Sequence, residues 1–191
     1  MIERNDRPLI LASGSPRRRE LLAKMGYTFE TCSPDVDEHV AGNPRDVVVT
    51  LAQRKANAAS EHYKGGVIIA SDTLVSLDGA ALGKPSDEAD AKRMLRELSD
   101  REHEVFTGVC LLDAATGKYE VRSVRTGVTF RAITEEEIDA YVATGEPMDK
   151  AGAYAIQGGA GRFVEKLDGE LENVIGFPVV EVREMLAHFG M

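Results

Sequence analysis

The chain has 191 residues, 43% of them hydrophobic, which suits one domain or two closely joined lobes around a sizeable core. Its formal net charge of −9, from 32 acidic side chains against 23 Lys and Arg, argues against a nucleic-acid polymer as partner but not against a local cationic pocket for small phosphates. No apolar run reaches the roughly eighteen residues of a membrane span, Met1 to Arg7 lacks the apolar core of a leader peptide, and Cys32 and Cys110 have no metal-ligand spacing, so a reduced cytoplasmic protein is expected.

Leu9-Ile10-Leu11-Ala12 reads as a short strand, broken by Ser13-Gly14-Ser15. Ser15 is a good N-cap, Pro16 suits the first helical position and Gly26 the end, with Leu21, Leu22 and Met25 as the buried stripe. A second helix runs from Asn43-Pro44 through Leu51, Ala52 and Lys55 toward Ala59. Val67-Ile68-Ile69-Ala70 is a buried strand leading into Ser71-Asp72-Thr73, with continuation through Leu74-Val75 and a hairpin turn at Asp78-Gly79. A third helix starts near Ser86 and carries Ala89, Met94, Leu95 and Leu98. Two strands flank Ala115-Thr116-Gly117, the second ending around Thr129 to Ala132, and Thr134 with Glu137 forms a capping box for a helix that stops near Gly145. The Gly- and Ala-rich stretch from Met148 to Gly161 reads as a shaped loop. Val164 to Lys166 and Glu172 to Val174 are expected to form a hairpin around Asp168-Gly169, before a last helix from Pro178. The sum is α/β, with a mixed twisted sheet flanked by helices.

Three stretches carry chemistry. Ser13-Gly14-Ser15-Pro16-Arg17-Arg18 leaves a strand and enters a helix, so backbone N–H groups, two hydroxyls and two guanidinium forks are available to phosphate, although the Walker pattern is absent. Taken alone, the same run is equally compatible with an ordinary capped helix and solvated arginines. Asp72, where the buried strand ends, could bind Mg²⁺ or orient a water, or could simply form a turn. Asp35-Val36-Asp37-Glu38 offers oxygen ligands or a solvated loop, and Lys55 and Lys84 are phosphate partners or surface charges. The four histidines lack zinc spacing, and neither Ser nor Cys sits in a nucleophile motif.

The run Leu11-Ala12-Ser13-Gly14-Ser15-Pro16-Arg17-Arg18-Arg19-Glu20-Leu21-Leu22 resembles the opening signature of Maf proteins. Asp37-Glu38, Lys55, Ser71-Asp72-Thr73, Leu82-Gly83-Lys84-Pro85, Thr107-Gly108-Val109 and Asp149 to Gly158 follow in the family's order. The resemblance implies a deep cleft, a fold similar to inosine triphosphate pyrophosphatases, and hydrolysis of nucleoside triphosphates to monophosphate and pyrophosphate. Asp72 matches the proton acceptor; Glu38, Lys55 and Lys84 match polar positions around phosphates and metal, with Glu38 and Asp72 as ligands of Mg²⁺ (Mn²⁺ as alternative). Arg17, Thr73 and Gln157 match positions tied to substrate choice. The run from Lys150 to Gly158 is similar to members acting on dTTP and UTP, whereas members preferring 7-methyl-GTP tend to carry an acidic residue in place of Gln157. Family analogy also implies a homodimer, house-cleaning of non-canonical nucleotides, and a link to inhibition of septum formation. A non-catalytic nucleotide-binding regulator is the reading from a different class.

Overall fold

The computed structural model describes residues 7–191; Met1 to Asp6, on which most of the leader-peptide expectation rests, lie outside the described residues. Elements follow in the order β1 (Leu9–Ala12), α1 (Pro16–Lys24), β2 (Glu30–Cys32), α2 (Pro44–Ser60), β3 (Val67–Leu77), β4 (Ala80–Leu82), α3 (Glu88–Leu98), β5 (Glu102–Asp113), β6 (Tyr119–Phe130), α4 (Glu135–Ala143), β7 (Val164–Asp168), α5 (Leu171–Ile175) and α6 (Val179–His188). Three short 3₁₀ turns, Glu146–Asp149, Ala151–Ala153 and Gly159–Phe163, make up most of the segment between α4 and β7.

The sheet runs β2-β1-β3-β5-β6-β7, with β4 attached to β3. β1 is parallel to β2 and β3, and the rest pair antiparallel, so the sheet is mixed as expected. Alternation along the buried strands sends side chains to two faces. Leu9, Leu11 and Ile69 join Val182, Met185 and Leu186 of α6, while Ile10, Ala12, Ile68 and Ala70 meet Ala52 and Ala56 of α2. A third cluster lies further along β3 and β5, where Val75, Leu77 and Val105 pack with Met94, Leu95 and Leu98 of α3, Tyr141 of α4, Phe130 and Phe163.

Local chemistry accounts for the element boundaries. Ser15, Asn43, Asp87 and Thr134 each cap a helix by accepting a backbone N–H, and Thr134 with Glu137 completes the capping box. Asp78 and Gly79 both have positive φ, the conformation a two-residue hairpin demands. Both cysteines are free, and burial pushes the Cys110 thiol up to about 12, so it behaves as a core side chain. No helix among the described residues is long and apolar enough to cross a membrane.

Several expectations need correction. Glu172 to Val174 does not return as a strand; it lies in helix α5, which ends on Gly176 at φ 111°. β7 pairs with β6 instead, because the long β6 offers an open edge at Gly127 to Phe130. β2, a three-residue strand with a largely exposed pattern, carries no apolar periodicity and has no signal in the sequence. In α1 only Leu22 is fully buried; Leu21 and Met25 lie half-buried at the margin of their cluster. The start of α3 at Glu88, capped by Asp87, agrees with the expected start near Ser86.

Candidate active site

Asp72 sits in the middle of β3, not at its end. Its position is nevertheless an opening in the sheet. On one side β3 is paired with β1 only through Ile69, and pairing resumes with β4 at Val75. Residues 70–74 therefore face a gap on that edge, while β5 supports them on the other. A cleft of about 730 Å³ opens there, within the range of small-molecule sites. Glu38, Asp72, Thr73, Lys84, Gln157, Ser15, Arg17 and Arg18 all line it, along with Lys150 and Tyr154.

Lys55 projects from α2 behind this wall. Its Nζ lies 2.6 Å from Oδ1 of Asp72 and 3.0 Å from Oε1 of Glu38. Asp72 and Lys55 side chains are 14% and 15% exposed, so this pair is largely removed from solvent, whereas Glu38 at 66% is not. One ammonium thus holds two carboxylates together. Oδ1 of Asp72 is engaged by Lys55, while Oδ2 forms no hydrogen bond among the described residues. The loop bearing Glu38 is also tied to α2 by Arg54, which donates to the carbonyls of Asp37 (2.8 Å) and His39 (3.3 Å).

The anion-binding turn is built from its own hydroxyls. Ser13 is buried, and its Oγ accepts from the backbone N of Ser15 at 3.1 Å; Ser15 then caps α1. Arg18 is directed inward, with Nε donating to the Gly176 carbonyl (2.9 Å), Nη1 to Ser13 Oγ (3.4 Å) and Nη2 to Thr73 Oγ1 (3.2 Å). Burial lowers its pKa; Asp72 and Glu38 offset this in part and Arg17 adds to it. An arginine so placed stays charged. Arg17 and the exposed Lys84 line the cleft without a side-chain hydrogen bond or ion pair among the described residues. Their charge is available to an incoming anion. Lys150, by contrast, is paired with Asp149, whose carboxyl the ammonium holds below its usual range.

Two predicted residues do not line the cleft. Ser13 supports the turn from beneath, and Lys55 acts through the carboxylates it bridges. Glu38 and Asp72 supply oxygen donors of the kind a hard cation takes, but among the described residues no group of three His, Cys, Asp or Glu side chains converges. Such a pair fits Mg²⁺, which commonly takes one or two carboxylates and completes its shell with water and substrate phosphate.

The sequence by itself assigns no individual role to Asn173, Tyr154 or Thr107, the last two being parts of motif runs. Asn173 is fully buried and donates to the carbonyls of Val105 (3.2 Å) and Val124 (3.3 Å) and to Thr126 Oγ1 (3.1 Å). Its one signal was an amide within the otherwise regular run Leu171-Glu172-Asn173-Val174-Ile175. Tyr154 is anchored by His103 Nε2 at 2.7 Å, and the next residue, Ala155, donates its N–H to the Tyr141 hydroxyl at 3.0 Å. These contacts hold the stretch that presents Gln157 to the cleft.

Comparison with known proteins agrees with this geometry. The profile described as Maf-like protein matches residues 8–189. The dTTP/UTP pyrophosphatase of Geobacter sulfurreducens is 48% identical over 184 residues, covering 95% of this chain and 96% of that protein. The protein of the same name from Pelotomaculum thermopropionicum is 46% identical over 184 residues, with the same coverage of each chain. That of Moorella thermoacetica is 48% identical over 185 residues, covering 96% and 95% respectively. With a match of this length and the cleft residues in place, the chain belongs to the Maf family.

Proposed function

We propose that this protein is a nucleoside triphosphate pyrophosphatase that converts dTTP and UTP to the monophosphate and pyrophosphate. The observation that carries the reading is the pairing of a free oxygen on Asp72 with two uncommitted cations, Arg17 and Lys84, around one cleft. The names of relatives 46–48% identical over nearly the whole chain point to the same substrates.

In the mechanism we infer, Lys55 fixes the Asp72 carboxylate through Oδ1 and leaves Oδ2 to orient a water. The water oxygen bonds to the α-phosphorus and gives a proton to Asp72, while the bond from the α-phosphorus to the bridging oxygen breaks and pyrophosphate departs. Arg17 and Lys84 stabilise charge on the phosphate oxygens, and the Ser15-capped turn adds backbone donors. Mg²⁺, or Mn²⁺ in its place, supplies charge neutralisation on the triphosphate when bound, with Glu38 and Asp72 as its protein ligands. Gln157 offers an amide that both donates and accepts, which suits the imide edge of thymine or uracil. The whole chain works in this reading as one domain of two closely joined lobes, and the seven described strands belong to one sheet. A cytoplasmic location fits the substrate.

The test is turnover with Mg²⁺ on dTTP, UTP, CTP, GTP and 7-methyl-GTP, with products separated by chromatography. Monophosphate and pyrophosphate from dTTP and UTP are expected, and Asp72→Asn should fold normally yet lose on the order of a hundredfold or more in kcat. Orthophosphate as product would place the cut elsewhere. Near-normal turnover by Asp72→Asn would remove the role given to that carboxylate.

A further inference from the structure

Glu146 stands just past the end of α4, and its neighbours fix its place. Gly145 takes a left-handed φ of 76°. Thr144 Oγ1 donates to the Tyr141 carbonyl at 2.6 Å and accepts the Glu146 N–H at 3.2 Å. The Glu146 carboxylate then meets two groups. Tyr141, 1% exposed, is hydrogen-bonded to it through its hydroxyl, and the Gly159 N–H donates to its Oε2 at 3.0 Å. A carboxylate can only accept, so the single phenol proton goes to Glu146. The Tyr141 oxygen keeps a lone pair for the Ala155 N–H, which reaches it at 3.0 Å. Burial, and after it the bond to Glu146, push the phenol pKa up, so the proton stays in place.

These bonds bracket a turn. The Gly158 N–H donates to the Ala155 carbonyl at 3.0 Å, a closure that puts Ile156 and Gln157 at the two central positions. Ala155, at the start of the turn, is anchored on Tyr141; Gly159, just past its end, is anchored on Glu146. Gln157 lines the cleft, is exposed, and makes no side-chain hydrogen bond among the described residues, so its direction is set by the turn that carries it. Gly158 packs on the same carboxylate: a Cβ placed on it would overlap Glu146 Oε1.

We propose that Glu146 is a positioning residue for substrate binding: it pins both feet of the turn, one directly and one through Tyr141, and so fixes where Gln157 meets the nucleotide. The inference rests on the reading above that the cleft takes a nucleoside triphosphate. In Glu146→Ala the Gly159 N–H loses its partner, the Tyr141 hydroxyl is free to rotate, and the turn loosens. Glu146→Gln keeps a carbonyl oxygen at the same reach.

The experiment is calorimetric binding of the non-hydrolysable α,β-imido analogue of UTP, beside amide hydrogen exchange over residues 155–159 read by mass spectrometry. Glu146→Ala should weaken binding about tenfold, the worth of roughly one hydrogen bond, and speed exchange at Ala155 and Gly159; Glu146→Gln should recover most of both. In a Gln157→Ala background, Glu146→Ala should weaken binding no further, because its effect passes through that side chain. Unchanged affinity in Glu146→Ala, a loss that Glu146→Gln does not restore, or a further loss in the Gln157→Ala background overturns the proposal. Should Glu146→Ala fail to fold, Gly158→Ala decides: its methyl group displaces the same carboxylate, and wild-type affinity there overturns the proposal. Wild-type protein that binds the analogue with this pattern yet hydrolyses neither dTTP nor UTP would end the pyrophosphatase reading and leave this inference standing. No binding of the analogue by wild type would end the inference even if both nucleotides were cut.

Discussion

Arg17 and Arg18 are neighbours of the same type with opposite commitments. Arg18 spends three donors on Gly176, Ser13 and Thr73, so it joins α1 to β3 and to the end of α5. Arg17 forms no such bond among the described residues. The two should therefore separate stability from binding. Arg18→Lys removes the planar fork and should lower both the melting temperature and kcat/KM, because a single ammonium cannot reproduce three divergent bonds. Arg17→Ala should raise KM for dTTP about tenfold or more while the melting temperature stays within a degree or two of wild type. Thermal melts beside steady-state kinetics read both effects, and equal loss of stability in the two variants would show the assignment to be wrong. Local sequence chemistry treats the pair as equivalent, since nothing in Pro16-Arg17-Arg18-Arg19 says which guanidinium turns inward; only the family resemblance sets Arg17 apart.

At the scale of elements, the active-site pair depends on how closely α2 lies on the sheet. Gly108 is the register partner of Asp72, and a Cβ placed on it would lie 2.3 Å from the Val48 carbonyl oxygen and 2.7 Å from the Val49 nitrogen, both backbone atoms of α2. Ala52, Ala56 and Ala59 continue the close approach. Gly108→Ala must push the helix away and carry Lys55 from Asp72. It should cost about 1–3 kcal/mol from overpacking and reduce turnover beyond what the lost stability explains. Gly65→Ala, where a Cβ meets nothing within 4 Å, is the control and should leave both measurements near wild type. Denaturant unfolding and turnover at a temperature where both variants are folded make the comparison. The elements themselves were largely legible: caps at Ser15, Asn43 and Thr134, the Asp78-Gly79 turn and the apolar runs of β1 and β3 are local signals. The expected hairpin after Val164 failed because β7 and α5 are chosen by distant partners, β6 and the buried groups beneath Asn173.

For the molecule as a whole, His103 gives stability a specific dependence on pH. It is 1% exposed among Phe130 and Tyr154, and burial lowers its pKa from the usual 6.5 to about 4. The folded protein therefore keeps it neutral where the unfolded chain takes up a proton. Its contribution is complete above about pH 6.5 and is lost as pH falls from there toward 4, on the order of 3 kcal/mol in total. Melting curves from pH 7.5 to 4.5 should show wild type losing stability more steeply than His103→Gln; parallel curves would place the acid sensitivity elsewhere. This group illustrates the division between the two levels of information. Residue order alone carried most element types, the mixed α/β class and most of the cleft residues, since caps, turns and apolar alternation act over a few residues and the motif runs are contiguous. Only the tertiary structure decided that Lys55 bridges Asp72 and Glu38, that Arg18 rather than Arg17 is committed inward, and that Thr107 and Asn173 stand behind Thr73. Those facts depend on hydrogen-bond partners 17 to 158 residues apart, and the direction of a buried proton is set by which acceptors lie within about 3 Å, a property of the packed chain and not of residue order.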